Sequence, residues 1–82
     1  MAEISEIIKN LECLECEEND LYNKIKRLIM FMSSLEYEKI DIKQKYLLEV
    51  QLECMNAYDK CLMTRIKMLI DDMKEREYYG MD

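Results

Sequence analysis

Apolar residues recur along residues 4–35 at steps of three and four, which is the spacing of one face of an α-helix. They fall into two columns that repeat every seven residues: Ile4, Leu11, Ile25 and Met32 in one, and Ile7, Leu14, Leu21, Leu28 and Leu35 in the other. Glu18 is the polar residue that interrupts this pattern. A third apolar column, Ile8, Tyr22 and Ile29, widens the stripe, as in a helix that faces more than one neighbour.

This pattern predicts a first helix over about residues 3–33. Asn19 and Asp20 mark a candidate break within it, because both residue types favour helix caps over helix interiors. The seven-residue repeat of apolar residues is interrupted at Ser33 and Ser34, so a turn is predicted over residues 34–41. Asp41 with Gln44 three residues later has the form of an N-cap with its reciprocal partner, and a second helix is predicted over about 42–78. Residues 79–82 are predicted to fray.

The second helix carries more apolar surface than one neighbouring helix can cover. Its apolar residues form two adjacent columns: Leu47, Val50, Cys54, Ala57, Cys61 and Met68 in one, and Leu48, Leu52, Met55, Leu62, Ile66, Leu69 and Met73 in the other. We expect one column to pack on the first helix and the other on a second protomer. The predicted fold is therefore all-α, with residues 1–82 as a single domain, a long antiparallel helical hairpin that completes a helical bundle by homo-oligomerisation.

Composition and charge agree with a soluble helical protein. The chain of 82 residues has no proline and a single glycine, so little interrupts its helices. It has no basic, continuously apolar leader and no apolar run of roughly 20 residues, so neither secretion nor a membrane partner is expected. The net charge is −6, with seven acidic residues against Lys9 in residues 1–20. Nucleic-acid binding is disfavoured, because it requires clustered basic residues.

The four cysteines allow two interpretations. A chain that is not secreted keeps free thiols in the reducing cytosol, with Cys54 and Cys61 as small core residues and Cys13 and Cys16 partly exposed. The alternative is a four-thiolate zinc site, because a hairpin that turns near residue 37 places Cys13 level with Cys61 and Cys16 near Cys54. The seven-residue step between Cys54 and Cys61 is unusual for zinc, and the first interpretation is preferred.

The sequence offers little for catalysis. It has no histidine, no glycine-rich phosphate loop and no nucleophile with a base at a recognisable spacing. Neither an enzyme nor a cofactor is expected. A binding role is better supported.

The candidate binding residues are four side chains of the second helix at seven-residue steps, which we call the polar ladder: Gln44, Gln51, Tyr58 and Arg65. They lie along the edge of the apolar face of the helix, where side chains are expected to be half-buried. In one interpretation they only border the buried interface of a helical bundle. Tyr58 then buries its ring, and the side chain of Arg65 covers apolar neighbours. In the other they line a groove that offers a planar cation, an aromatic face and amides to a phosphate-bearing planar ligand or a protein.

A set of spaced residues over 25–66 is characteristic: Ile25 with Leu28, Phe31 with Ser33, Leu47-Leu48, Gln51-Leu52, Met55, Tyr58, Leu62 and Arg65-Ile66. In these residues the chain resembles a family of small helical proteins of crAss-like and other tailed phages. The acidic first twenty residues lie outside this resemblance.

The resemblance implies an accessory protein in the cytoplasm of an infected bacterial host. Such proteins commonly block a host defence protein or trap a nucleotide immune signal inside a small homo-oligomer. The expected function is therefore anti-defence binding, with the polar ladder in the binding surface. The alternative is a structural helical oligomer or protein–protein adaptor without a small-molecule ligand.

Overall fold

The computed structural model describes residues 4–78 and shows three helices in that range. Helix α1 spans Ile4–Met32, α2 spans Leu35–Lys39 and α3 spans Ile42–Tyr78. No strand occurs within residues 4–78, which confirms the predicted all-α class. The predicted fraying of residues 79–82 lies outside the described residues. No helix in the described range is long and apolar enough to cross a membrane.

Helix α1 runs without interruption through Asn19 and Asp20, so the structure does not show the candidate break. Both side chains are exposed and remain in contact with water, whereas Leu21 immediately after them is buried. Burial of an amphipathic face contributes more to helix stability than the small preference of Asn and Asp for caps. Packing of the apolar stripe therefore keeps the helix continuous at this point.

The connection between the long helices contains a short helix with its own cap. The backbone N–H of Tyr37 donates to Ser34 Oγ at 3.4 Å, which caps α2. The rings of Phe31 and Tyr37 meet edge to face, with their centroids 6.1 Å apart. The backbone N–H of Lys43 donates to Asp41 Oδ2 at 3.1 Å at the start of α3. The region predicted as a turn is thus held by local hydrogen bonds and one aromatic contact.

The core lies in the seam between α1 and α3. Its buried side chains are Ile7, Leu14, Leu21 and Ile25 of α1 and Leu62 of α3. Four half-buried residues of α3 pack against this cluster: Leu52, Met55, Ile66 and Leu69. The two helices run in opposite directions, because Asn10 borders the same groove as Asp72 whereas Glu18 contacts Asp59. The molecule is a rod with extents of 59 × 16 × 15 Å.

One apolar column of α3 packs on α1 and the other does not. We call the second one the outer column: Leu47, Val50, Cys54, Ala57, Cys61 and Met68. Leu47 is 54% exposed and Met68 is 66% exposed, and of the six only Val50 is half-buried. On α1, the third column of Ile8, Tyr22 and Ile29 is also exposed. A single chain therefore leaves two apolar surfaces in contact with water.

The buried centre of the seam predicts where a substitution destabilises the fold. Replacing Leu62, which is 0% exposed, with Ala removes apolar burial and leaves a cavity between the helices. We expect the free energy of unfolding to fall by about 3 kcal/mol, measured by urea denaturation at fixed protein concentration. The matched control is Leu35→Ala, at a position that is 73% exposed. Equal losses for the two variants would contradict a seam centred on Leu62.

Candidate functional site

The polar ladder lies along one side of α3, and its four side chains are all exposed. Tyr58, the large aromatic member, is 45% exposed. The expectation of half-burial is therefore wrong for the single chain, because no neighbouring element covers this side of the helix. Successive members are about 10.5 Å apart at a rise of 1.5 Å per residue. A single small ligand does not reach all four in one chain.

Arg65 borders an open groove between α1 and α3. The groove has a volume of about 720 Å³. Its lining combines apolar and polar side chains from both helices: Asn10, Cys13, Leu14 and Glu17 from α1, and Arg65, Met68, Leu69 and Asp72 from α3. The other three members of the polar ladder do not line it. The structure thus places one residue of the predicted set in a concave surface and leaves the rest along an exposed helix side.

The guanidinium of Arg65 is available for a ligand. Within residues 4–77 it makes no hydrogen bond or ion pair, although the acidic residues Glu17 and Asp72 line the same groove. Asp72 is engaged by Arg76, whose Nε lies 3.4 Å from Asp72 Oδ2. An unpaired guanidinium presents a planar array of N–H donors that matches carboxylate and phosphate oxygens. Arg65 is therefore the strongest candidate for binding an anionic group.

Gln51 and Tyr58 continue the same side of α3 towards the turn. Gln51 Nε2 lies 3.9 Å from Met55 Sδ, a weak contact with a thioether acceptor. Neither the Tyr58 hydroxyl nor the Gln44 amide makes a hydrogen bond within residues 4–77. Their hydrogen-bonding groups are thus free to meet a ligand or another chain.

A family model, Sequestin, matches residues 9–68. The chain belongs to the Sequestin family. The matched region includes the whole polar ladder and most of the α1–α3 seam. Comparison with curated proteins and with solved structures gave no match.

The cysteines of this Sequestin-family chain are free and exposed, all four of them. The expectation that Cys54 and Cys61 are core residues is wrong for the single chain, because both belong to the uncovered outer column of α3. Within the described residues, no three Cys, His, Asp or Glu side chains come together as a group that could hold a metal ion. The zinc alternative of Cys13, Cys16, Cys54 and Cys61 has no geometric support there.

An acidic pair inside the seam is the polar feature that sequence reasoning missed. Glu18, the residue that interrupts the apolar columns of α1, meets Asp59 of α3, and both are half-buried. Asp59 Oδ1 is buried without a backbone or side-chain N–H partner within residues 4–77. The hydrogen bond with Asp59, then partial burial and repulsion by the Asp59 charge, raise the pKa of the Glu18 carboxyl. Glu18 alone was visible in the sequence, because identifying Asp59 needs the register of the helices.

The acidic pair predicts that stability falls as pH rises. Since the pKa of Glu18 is raised in the folded chain, its stabilising contribution is complete below the ordinary value of 4.5 and is lost as pH rises through the raised value. Replacing Asp59 with Asn removes the second charge and supplies an N–H donor. We expect the variant to gain stability at pH 7 relative to the original chain, and to gain less or nothing at pH 4.5.

Urea denaturation midpoints at the two pH values measure this difference. Asp20→Asn, an exposed position on α1, is the matched control and keeps the original pH dependence. If the urea denaturation midpoints of Asp59→Asn and of the original chain changed equally between the two pH values, the acidic pair would not be the cause of the pH dependence of stability.

Proposed function

We propose that this Sequestin-family chain is a non-enzymatic phage protein that sequesters a small molecule of the host defence, with an anionic nucleotide signal as the favoured ligand. It acts as a homo-oligomer in the cytoplasm of the infected bacterium and thereby counters host immunity. The observation that carries the proposal is the unpaired Arg65 in an open groove, within the region matched by the Sequestin model. The family name supports sequestration, and the resemblance to phage proteins supports the setting.

The chemistry of the groove supports binding without catalysis. Arg65 offers a cation, Asn10 offers an amide, and Leu14, Met68 and Leu69 offer an apolar wall to a flat ring. The lining also contains the carboxylates of Glu17 and of Asp72, which Arg76 pairs, so Arg65 is the group of the groove that attracts an anion. This combination suits a ligand that joins a phosphate to a planar base. No histidine is present in the chain to transfer a proton near neutral pH. Retention of an unchanged ligand is therefore the chemistry that these residues favour.

The surface area of the chain supports oligomerisation. A compact folded monomer of 10.0 kDa exposes about 5,200 Å² by the usual scaling with mass. This rod exposes 6707 Å², an excess of about 1,500 Å², which lies in the range that one protomer buries in a permanent oligomer. The exposed outer column of α3 is where such an interface finds apolar contacts.

A structural adaptor is the second candidate, and the exposed outer column favours it. In that case the apolar surface binds another protein, the polar ladder only edges the contact, and no small molecule is retained. The two functions differ in their dependence on Arg65.

Replacing Arg65 with Ala tests the proposal. Native mass spectrometry of protein purified from infected bacteria is expected to show a bound small molecule on the original chain and at least a tenfold lower bound fraction on the variant. The loss follows from removing a charge-assisted contact, worth about 1.5–3 kcal/mol. Helicity and oligomer mass are expected to remain unchanged, because Arg65 is exposed and unpaired within residues 4–77.

Lys67→Ala is the matched control, since it removes another exposed cation two residues along the same helix. This variant is expected to retain the molecule and to protect the phage as the original chain does. A bound mass that persists undiminished on Arg65→Ala would refute the role of Arg65. Absence of any bound molecule, with Arg65→Ala altering assembly or melting, would favour the adaptor.

A further inference from the structure

Four of the six residues of the outer column of α3 form two pairs that are symmetric about one point of the helix, whereas the counterpart of Val50 about that point is Arg65 and the counterpart of Ala57 is Tyr58. Leu47 and Met68 are equally far along the helix from the midpoint between Ala57 and Tyr58, and so are Cys54 and Cys61. If a second α3 packs antiparallel about this midpoint, Leu47 faces the partner's Met68 and Cys54 faces the partner's Cys61. The smallest side chain, Ala57, then lies at the centre, where two helices approach most closely. Large side chains fill the ends and small ones fill the middle.

The charges beside the outer column obey the same symmetry. Glu53 falls within about two residues of the level of the partner's Lys60, or about 3 Å along the axis, and Lys43 falls within about one residue of the level of the partner's Asp71, or about 1.5 Å. All four side chains are exposed, and none has an ion pair within residues 4–77. The two-fold symmetry produces each pair twice, so four pairs of opposite charges form.

Parallel packing about the same column removes this pairing. At about 100° per residue, Glu53 and Lys60 lie about 90° and 110° around the helix from the direction in which Cys54 and Cys61 project, so a two-fold axis parallel to the helices places each on the opposite side of the contact from its own copy, and the attractive pairs are lost. Lys43 lies within about 10° of that direction and then faces its own copy, and like charges that face each other destabilise an interface. The charge pattern therefore selects a second copy of the chain in the antiparallel orientation.

We propose that two copies of this chain pack antiparallel through the outer column of α3, with the two-fold axis beside Ala57, and that this contact joins their polar ladders into one site. The inference rests on the homo-oligomer part of the proposed function and deepens it. The contact runs over the 21-residue step from Leu47 to Met68, about 32 Å at 1.5 Å per residue.

The angular positions around α3 place the polar ladder at the junction of the two copies. All angles here are measured around the helix from Ala57, at about 100° per residue. Cys54 and Cys61, which face the partner, lie at about 50°, and the residues that pack on α1 lie at about 165°. The polar ladder lies at about 110°, between these two directions. Its side chains therefore line the angle between α1 of their own chain and α3 of the partner.

The two-fold axis brings the same side of both chains together. Tyr58 then lies opposite the partner's Tyr58, and Arg65 lies opposite the partner's Gln51, within about one residue of the same level. Each guanidinium becomes the neighbour of the partner's amide and the two phenol rings become neighbours of each other, with about 10.5 Å along the axis between the phenol pair and each guanidinium–amide pair. The site for an anionic planar ligand is then incomplete in either chain alone.

Disulfide trapping tests the register. Helix axes about 8 Å apart bring facing Cα atoms to about 4–6 Å, which permits a disulfide. In a chain carrying Cys13→Ser and Cys16→Ser, the oxidant diamide removes two hydrogen atoms from apposed thiols. We expect a covalent dimer linking Cys54 to the partner's Cys61, seen on a non-reducing gel and located by mass spectrometry of the peptides.

Two further variants in that background sharpen the test. Chains that also carry Cys54→Ser, or Cys61→Ser, are each expected to give at least tenfold less covalent dimer when oxidised alone. An equimolar mixture of the two variants restores a singly linked dimer, because each supplies the cysteine that the other lacks. Equal cross-linking of the single variants and the parent would overturn the register, and a monomer in light scattering would overturn the contact.

Charge reversal tests the orientation without cysteine chemistry. Glu53→Lys and Lys60→Glu each turn two attractive pairs into repulsive ones, and each is expected to raise the dimer dissociation constant at least about fivefold at low salt. The double variant restores the original value, because it re-forms both pairs with exchanged signs. Additive weakening in the double variant would exclude the antiparallel pairing of these residues.

These outcomes separate the interface from the ligand. A Cys54–Cys61 linked dimer that retains no small molecule supports the contact and overturns the ligand-binding part of the proposed function. A monomer that retains the small molecule supports the ligand-binding part of the proposed function and overturns the contact. Retention of the molecule that needs both Arg65 and the dimer supports a site shared between the two copies.

Discussion

Leu62 lies fully buried at the centre of the α1–α3 seam, and the rest of the structure depends on the burial of this seam. Two helices laid side by side cover one stripe on each other and nothing more. Helix α1 uses Leu14, Leu21 and Ile25 to cover Leu62 and its neighbours on α3. Within the described residues, many other apolar side chains are then left on the outside, including all of the outer column except Val50. The shape of the chain thus creates the surfaces that a partner can use.

The same constraint explains how much could be predicted from the sequence. The periodic columns and the cap at Asp41 define the two long helices closely, because periodicity and capping are local properties of the chain. Periodicity also gives the angle at which Cys54, Cys61 and Tyr58 project from α3. It does not say whether a neighbour exists at that angle. The predictions of buried cysteines and a half-buried ladder assumed such a neighbour, and within one chain there is none.

The acidic pair shows a second limit of sequence reasoning. Glu18 was conspicuous because it breaks an apolar column, but its meaning depends on Asp59, forty-one positions later in the chain. A carboxyl opposite a carboxylate inside a seam is costly unless one proton is shared. Retaining two acids there weakens the seam near neutral pH, where one apolar pair would strengthen it. This cost suggests that the pair distinguishes one register of α1 on α3 from others, as polar residues do in coiled coils.

The proposed sequestration requires a rod only 16 × 15 Å in cross-section to enclose a ligand. Pockets that retain small molecules bury most of the ligand surface, and the groove beside Arg65 is open on one side. Within the described residues, the connection between α1 and α3 lies at the other end of the rod and does not reach this groove. The polar ladder lies between the covered and uncovered columns of α3, so in the proposed dimer a second copy covers the groove without disturbing the seam.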